Sequence, residues 1–290
     1  MQRFARPLVR RVLCTATPVL RRAASASATR PSLVTVTAAS VAAASSLAVA
    51  AASSLAECEA VKAPAHCLVA ADGMFDANQY QQLYQLLKIS LPRSPDDEEI
   101  NWRLARACKK LADGKSKAEQ EPLMREGLKA AEHALKLAPS SGPAHKWYAI
   151  LLSSVGEFDG TSASIKNSFI VKQHFEKACE LSPNDATSRH LLGLWCYEVA
   201  NLSWMTRKLA STLFAEPPES TFEEAVGHFE LAERMDPGFY PKNLLLLAHA
   251  YHKMGQIERA QYFLQRCKAA KVRTPEDQET MKLAEAAKIK

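Results

Sequence analysis

A short phrase that returns along this chain constrains its fold more than any other feature. A small or apolar residue is followed four positions on by an aromatic residue or Ala, three on by a small residue, and five on by Pro. The clearest copies are Gly127, Ala131, Ala134 and Pro139, then Val171, Phe175, Ala178 and Pro183, then Ala225, Phe229, Ala232 and Pro237. Steps of four and three keep the side chains on one stripe of a helix. The Pro then ends the helix, because it has no N–H to donate and biases the residue before it away from helical backbone. A stripe written out several times, each copy closed by Pro, predicts a row of similar helices packed side by side.

This is the second helix of a tetratricopeptide (TPR) helix pair, and the expected fold class is all-α, a TPR-like stack of antiparallel helix pairs. Tyr80, Tyr84, Leu87 and Pro92 follow the same phrase and read as a half repeat, with Asp76 as the cap of a helix running to about Ser90. Asp96, Asp97, Glu98 and Glu99 precede the next helix, where acids suit the positive end of its dipole. Four fuller pairs follow. Trp102 and Trp147 lie on the opening helices of the first two, and Leu192, Gly193 and Cys196 on that of the third. Leu244, Leu247, Ala248 and Tyr251 open the fourth, which closes with Ala260, Leu264 and Cys267. Only the fourth has regular spacing. Against a 34-residue repeat, the first three carry insertions of about 9, 8 and 20 residues. The expectation is inter-helix loops that fold back on the stack, with an extra helical turn or two in the third, around Trp204, Arg207, Leu209 and Phe214. Thr274-Pro-Glu-Asp277 reads as the start of a capping helix.

The formal charge of +6 comes from the N-terminus. Arginines stand at positions 3, 6, 10, 11, 21, 22 and 30, and the first acid is Glu57. Without those seven the remainder is close to neutral, which argues against nucleic acid as a partner. Residues 1–30 are Arg-rich, contain Ser and Ala and lack acids, so they read as a mitochondrial-type presequence. The alternative is a disordered basic arm. Residues 31–71 form an Ala/Ser-rich low-complexity segment, uncharged over 31–56. That stretch is long enough for a membrane anchor but weakly apolar, so linker and membrane attachment both stay open. The TPR-like helical domain is placed at 72–290.

No catalytic or metal-binding constellation stands out, and no cofactor is expected. Gly114-Lys115-Ser116 has the ending of a phosphate-binding loop, but Lys109 occupies the place of its first Gly. His249 and His252 lack a nearby acidic ligand. Seven cysteines without dense spacing fit a reducing compartment. Cys58 and Cys67 are open to a disulfide or to two thiols. Cys108, Cys179, Cys196 and Cys267 sit at small-residue positions typical of packing. Trp102, Trp147 and Trp195 are expected in the core; Trp204 either pins the third insertion to the stack or closes one end of a groove.

The opening helices of such a stack line its concave face. Aligned positions there are Arg103 and Lys110, His145 and Tyr148, His190 and Tyr197, then Lys242, His249 and His252, with Glu198 as the acidic exception. A positive surface with aromatic edges suits an acidic or carboxylate-bearing peptide segment. Arg103, Arg106 and Lys110 form one basic stripe, which is also the pattern of an ordinary solvated helix face.

The runs Ser140–Trp147 (SSGPAHKW), Phe175–Asp185 (FEKACELSPND), Trp204–Phe222 (WMTRKLASTLFAEPPESTF) and Pro237–Leu247 (PGFYPKNLLLL) resemble the regulator of microtubule dynamics family. The most specific is Phe-Ala-x-Pro-Pro-x-Ser-Thr at Phe214–Thr221, and the resemblance spans about residues 75–285. It implies a TPR-like, non-catalytic interaction protein with tubulin or microtubules as partner, in the cytoplasm, at spindles and spindle poles, and in some members on mitochondrial or endoplasmic-reticulum membranes. An organellar scaffold or assembly factor is the alternative. An enzyme with its site assembled across the insertions is the remote third.

Overall fold

The computed structural model describes residues 64–214 and 218–289. The readings of residues 1–30 and 31–56, and of Cys58, lie outside the described residues. Within them the chain forms twelve α-helices and one 3-10 turn, with no strand. The helices are α1 (Pro64–Asp76), α2 (Tyr80–Ser90), α3 (Glu98–Ala112), α4 (Lys117–Leu137), α5 (Gly142–Asp159) and α6 (Thr161–Leu181). They continue as α7 (Ala186–Ala200), α8 (Trp204–Leu213), α9 (Phe222–Met235), α10 (Pro241–Lys253), α11 (Ile257–Lys268) and α12 (Pro275–Ala286).

Local chemistry sets the helix ends. The phrase-ending prolines act as read: α4, α6 and α9 stop at Leu137, Leu181 and Met235, two residues before Pro139, Pro183 and Pro237. Side-chain caps start α3, α5 and α7, whereas Tyr240 before α10 supplies none. Asp97 accepts from Glu99 N at 2.8 Å, Ser141 from Ala144 N at 3.3 Å, and Asp185 from Thr187 N at 3.1 Å. Each bond satisfies an orphan N–H of the first turn. At the N-terminus the reading shifts. Asp76 ends α1 and does not cap α2, because the chain turns at Asn78 with φ of 56° and α2 begins at Tyr80. An additional helix, α1, precedes the expected start at residue 72.

The repeated stripe is the core. Ala131, Ala134, Ala178, Ala225, Phe229 and Ala232 are fully buried, with Val171 and Phe175 nearly so. Helices pack as the pairs α3/α4, α5/α6, α7/α9 and α10/α11, each against its neighbours, with α12 on α10 and α11. One cluster of buried side chains runs from Ala71 to Val155, and a second from Ala149 to Ala284. Helix α5 serves both: Trp147 and Leu151 point into the first and Ala149 into the second. Such a stack builds one elongated core from nearest-neighbour contacts. Cys108, Cys179, Cys196 and Cys267 are buried free thiols within it, and Cys67 is a free thiol 3.1 Å from Ser90 Oγ.

The first two insertions are not loops. They lengthen the closing helices, so α4 and α6 reach 21 residues each, and α5 passes to α6 through Gly160 alone, at φ of 98°. Extra helical turns satisfy their own backbone groups, which a loop lying on the stack does not. The third insertion does form a helix, α8. Phe214 beyond its end meets Phe169 at 5.0 Å between ring centroids, and Arg207 donates to the terminal carbonyls of α7 at Val199 and Ala200. Trp204 lies on the outside, 71% exposed with Lys208 above its ring, so it neither pins α8 nor closes a groove.

Candidate functional site

Lys110 sits in the last turn of α3 and Lys242 in the first turn of α10. These helices belong to the first and last repeats, yet both ammonium groups reach one carboxylate, that of Glu276 in the first turn of α12. Lys242 Nζ lies 3.0 Å from Glu276 Oε1 and Lys110 Nζ 3.5 Å from Oε2. The Tyr240 hydroxyl donates to Oε1 at 2.6 Å. Burial alone would raise the Glu276 pKa; Lys242 and Lys110 outweigh it and hold it at about 2. Reciprocally, burial acts to lower the Lys110 pKa and Glu276 and Asp113 raise it on balance. Tyr80 of α2 borders the cluster and its pKa is raised, by burial first, with the charges of Lys110, Asp113 and Glu276 all felt there.

His190 of α7 backs the site from inside. It is buried, packed edge-on against Tyr240 at 4.9 Å, and Nδ1 donates to Asn243 Oδ1 at 2.9 Å. Burial drives its pKa down to about 4, so it is neutral at physiological pH and serves as a wall. About a third of the Glu276 side chain and a quarter of that of Lys110 (34% and 27%) stay in contact with water. Beside Lys110 a depression of about 400 Å³ opens to solvent, lined by Tyr80, Gln81, Lys110, Asp113 and Lys115 among others. The cluster is a carboxylate site at a surface, with two cations and a phenol as its donors.

The remaining predicted groove residues do not join it. Arg103 is buried, paired with Asp72 at 2.6 Å and with Glu99, and its guanidinium lies 4.1 Å from the Trp102 ring. Arg106 also pairs with Asp72 at 2.6 Å, so these two arginines tie α3 to α1, and their stripe is neither a solvated face nor an open binding surface. His145 meets His174 at 2.9 Å, and Tyr148 packs on the same ring at 4.6 Å. Tyr197 is buried against Phe222. His249 is partly buried and His252 exposed on the far half of α10. Sequence reasoning misses Glu276 and Tyr240. The Thr-Pro-Glu-Asp run announces a helix start, and that role alone accounts for a Glu at position 276. Among the described residues no group of three or more His, Cys, Asp or Glu is placed to hold a metal ion.

Helix pairs stacked on shared stripes, with the opening helices gathering polar side chains on one side, define a TPR-like protein. Solved structures agree at the level of fold. A thermophilic TPR protein of Thermus thermophilus superposes with a TM-score of 0.54 at 15% identity, covering 77% of this chain and 98% of that one. PilW, a type IV pilus biogenesis factor, gives 0.50 at 15% identity, covering 78% and 92%. The model of the family described as regulator of microtubule dynamics protein 1-3 matches residues 67–289. This chain belongs to that family. It is 46% identical to regulator of microtubule dynamics protein 1 of Bos taurus over 73% of this chain and 67% of the relative. It is 45% identical to the Mus musculus protein of that name, over 73% and 70%. With regulator of microtubule dynamics protein 3 of Xenopus laevis the identity is 36%, over 70% of this chain and 44% of the relative.

Proposed function

We propose that this chain is a non-catalytic interaction protein that associates with microtubules by gripping an acidic segment of its partner, with the tubulin tail as first candidate. The observation that carries this reading is the convergence of Lys110 and Lys242, from opposite ends of the stack, on one carboxylate. Two ammonium groups and a tyrosine hydroxyl in a half-buried setting form charge-assisted bonds that water competes for poorly. The family's name supports microtubules as the first partner, and the cytoplasm, spindle and spindle pole follow as sites of action. The acid-free, Arg-rich first thirty residues support mitochondrial targeting, and 31–56 then supply membrane attachment with the helical body facing the cytosol, since a matrix protein cannot touch microtubules.

Cosedimentation tests the partner. The chain should pellet with microtubules at low salt, and removing the acidic tubulin tails with subtilisin should reduce binding by about tenfold, as loss of a charge-complementary contact implies. Equal binding to trimmed microtubules would overturn the acidic-tail reading. Topology is tested with a C-terminal tag on intact mitochondria: protease should remove the tag with the outer membrane unbroken. A tag protected until the membranes rupture would instead establish the organellar scaffold, the reading that the presequence-like N-terminus otherwise favours.

A further inference from the structure

The carboxylate that Lys110 and Lys242 hold is the chain's own. We infer that Glu276 is a built-in occupant of the acidic-peptide site, and that the first turn of α12 must leave before a glutamate or aspartate side chain of a partner can enter. This inference rests on the groove reading above and adds the identity of the central subsite and its control. Three observations carry it. The donors around Glu276 come from α3, from α10 and from the residue that precedes it, and would serve any carboxylate equally: Lys110, Lys242 and Tyr240. The site is reachable, since it opens to solvent at Glu276 and adjoins the depression beside Lys110, from which an extended acidic segment can run toward Lys242.

The third observation is that α12 is lightly held. Ala284 is its one buried hydrophobic residue, beside the buried polar Asp277 and Thr280, while Leu283 is 44% exposed. Little apolar burial puts a segment at the low-stability end of a fold. The helix start does not depend on docking, because Thr274 Oγ1 accepts from Asp277 N at 3.1 Å and the Asp277 carboxylate accepts from Thr274 N at 2.9 Å. The start of α12 can therefore lift from the stack, carrying Glu276 out of the site, and a twelve-residue helix without its packing frays in water. A partner then meets a site that is open only part of the time, and its apparent affinity is the intrinsic one reduced by that open fraction.

The test uses the full chain and a fluorescein-labelled oligoglutamate peptide, read by fluorescence anisotropy at fixed salt. Glu276→Gln should tighten binding by about threefold to tenfold, as removal of an internal competitor does. Glu285→Gln, on the exposed side of the same helix, should change it far less. An equal gain from both would mean bulk charge and overturn the inference. Affinity unchanged or weakened in Glu276→Gln would overturn the internal occupant, while loss of binding on changing Lys110 and Lys242 together to Gln would still uphold the groove. If that lysine pair is changed without effect, or if no chain binds the peptide, the groove reading falls and this inference with it. Hydrogen exchange on the unaltered chain guards against a misfolded variant. Saturating peptide should speed exchange over residues 277–286, and unchanged or slower exchange there would overturn displacement of α12.

Discussion

Gly193 shows at residue scale why small side chains recur on the stripes. A Cβ at this position would lie 2.8 Å from Cδ1 and 2.9 Å from Cε1 of Phe229, with His228 Cβ at 3.1 Å. The α7/α9 pair closes only because nothing stands there. Gly193→Ala should therefore lower stability by about 1–3 kcal/mol, the usual cost of overpacking. Urea unfolding checks it, and an unchanged midpoint would mean that the Phe229 ring shifts freely. Titration also acts at this scale. Burial holds the pKa of His190 at about 4, and burial followed by the charge of His145 holds His174 at about 4. Both lie below the usual 6.5. The unfolded chain thus takes up protons that the fold refuses, so stability falls as pH drops from about 6.5 toward 4. Glu276 acts in a lower range. Its stabilisation is complete above the ordinary 4.5 and is lost as pH falls toward about 2. Unfolding free energies at pH 7, 5.5 and 4.5 should decline in that order, and His174→Gln should flatten the decline. Equal values at pH 7 and 5.5 would contradict the neutral state of both rings, His190 buried and His174 half-buried.

At the scale of elements, Asp185 joins a helix start to the repeat before it. Its carboxylate accepts from Thr187 N at 3.1 Å and Ser188 Oγ at 2.5 Å, capping α7, and from Lys146 Nζ of α5 at 2.7 Å. Burial would raise its pKa, but Lys146 and these hydrogen bonds lower it on balance. Asp185→Ala should cost about 0.5–2 kcal/mol through the cap, with more if Lys146 is left without its partner. Asp185→Asn, which keeps the cap and removes the charge, should recover most of it. A denaturation midpoint equal to that of the parent for Asp185→Ala would exclude a capping role. Helices are the most legible level in the sequence. The Pro-closed stripes and their caps are local, since a helix makes its hydrogen bonds within one segment. The first two insertions are not legible in kind, because a polar stretch of eight or nine residues extends a helix or makes a loop depending on what it packs against. Asp76 misleads for a related reason: a good cap residue also ends helices, and only the turn at Asn78 decides which.

At the scale of the molecule, four repeats curve so that α12 of the C-terminal end meets α3 near the N-terminal end through Lys110 and Glu276. That contact links the two ends of the stack and sets a carboxylate between two of the expected groove lysines. Of the nine proposed groove positions, Lys110 and Lys242 meet at one site with His190 behind them, whereas Arg103 and Tyr197 are committed to packing. The reason lies in range. Periodicity reports which side of a helix a residue faces, and it placed the core stripes, the TPR-like pairing, the capping helix and the buried cysteines. Family motifs spread over most of the chain carried the membership. Ion pairing between residues such as Lys110 and Glu276, which are remote in sequence, depends on how the repeats curve, and curvature is the sum of small rotations at every interface. Only the tertiary structure decided that the carboxylate between Lys110 and Lys242 is a glutamate of the same chain.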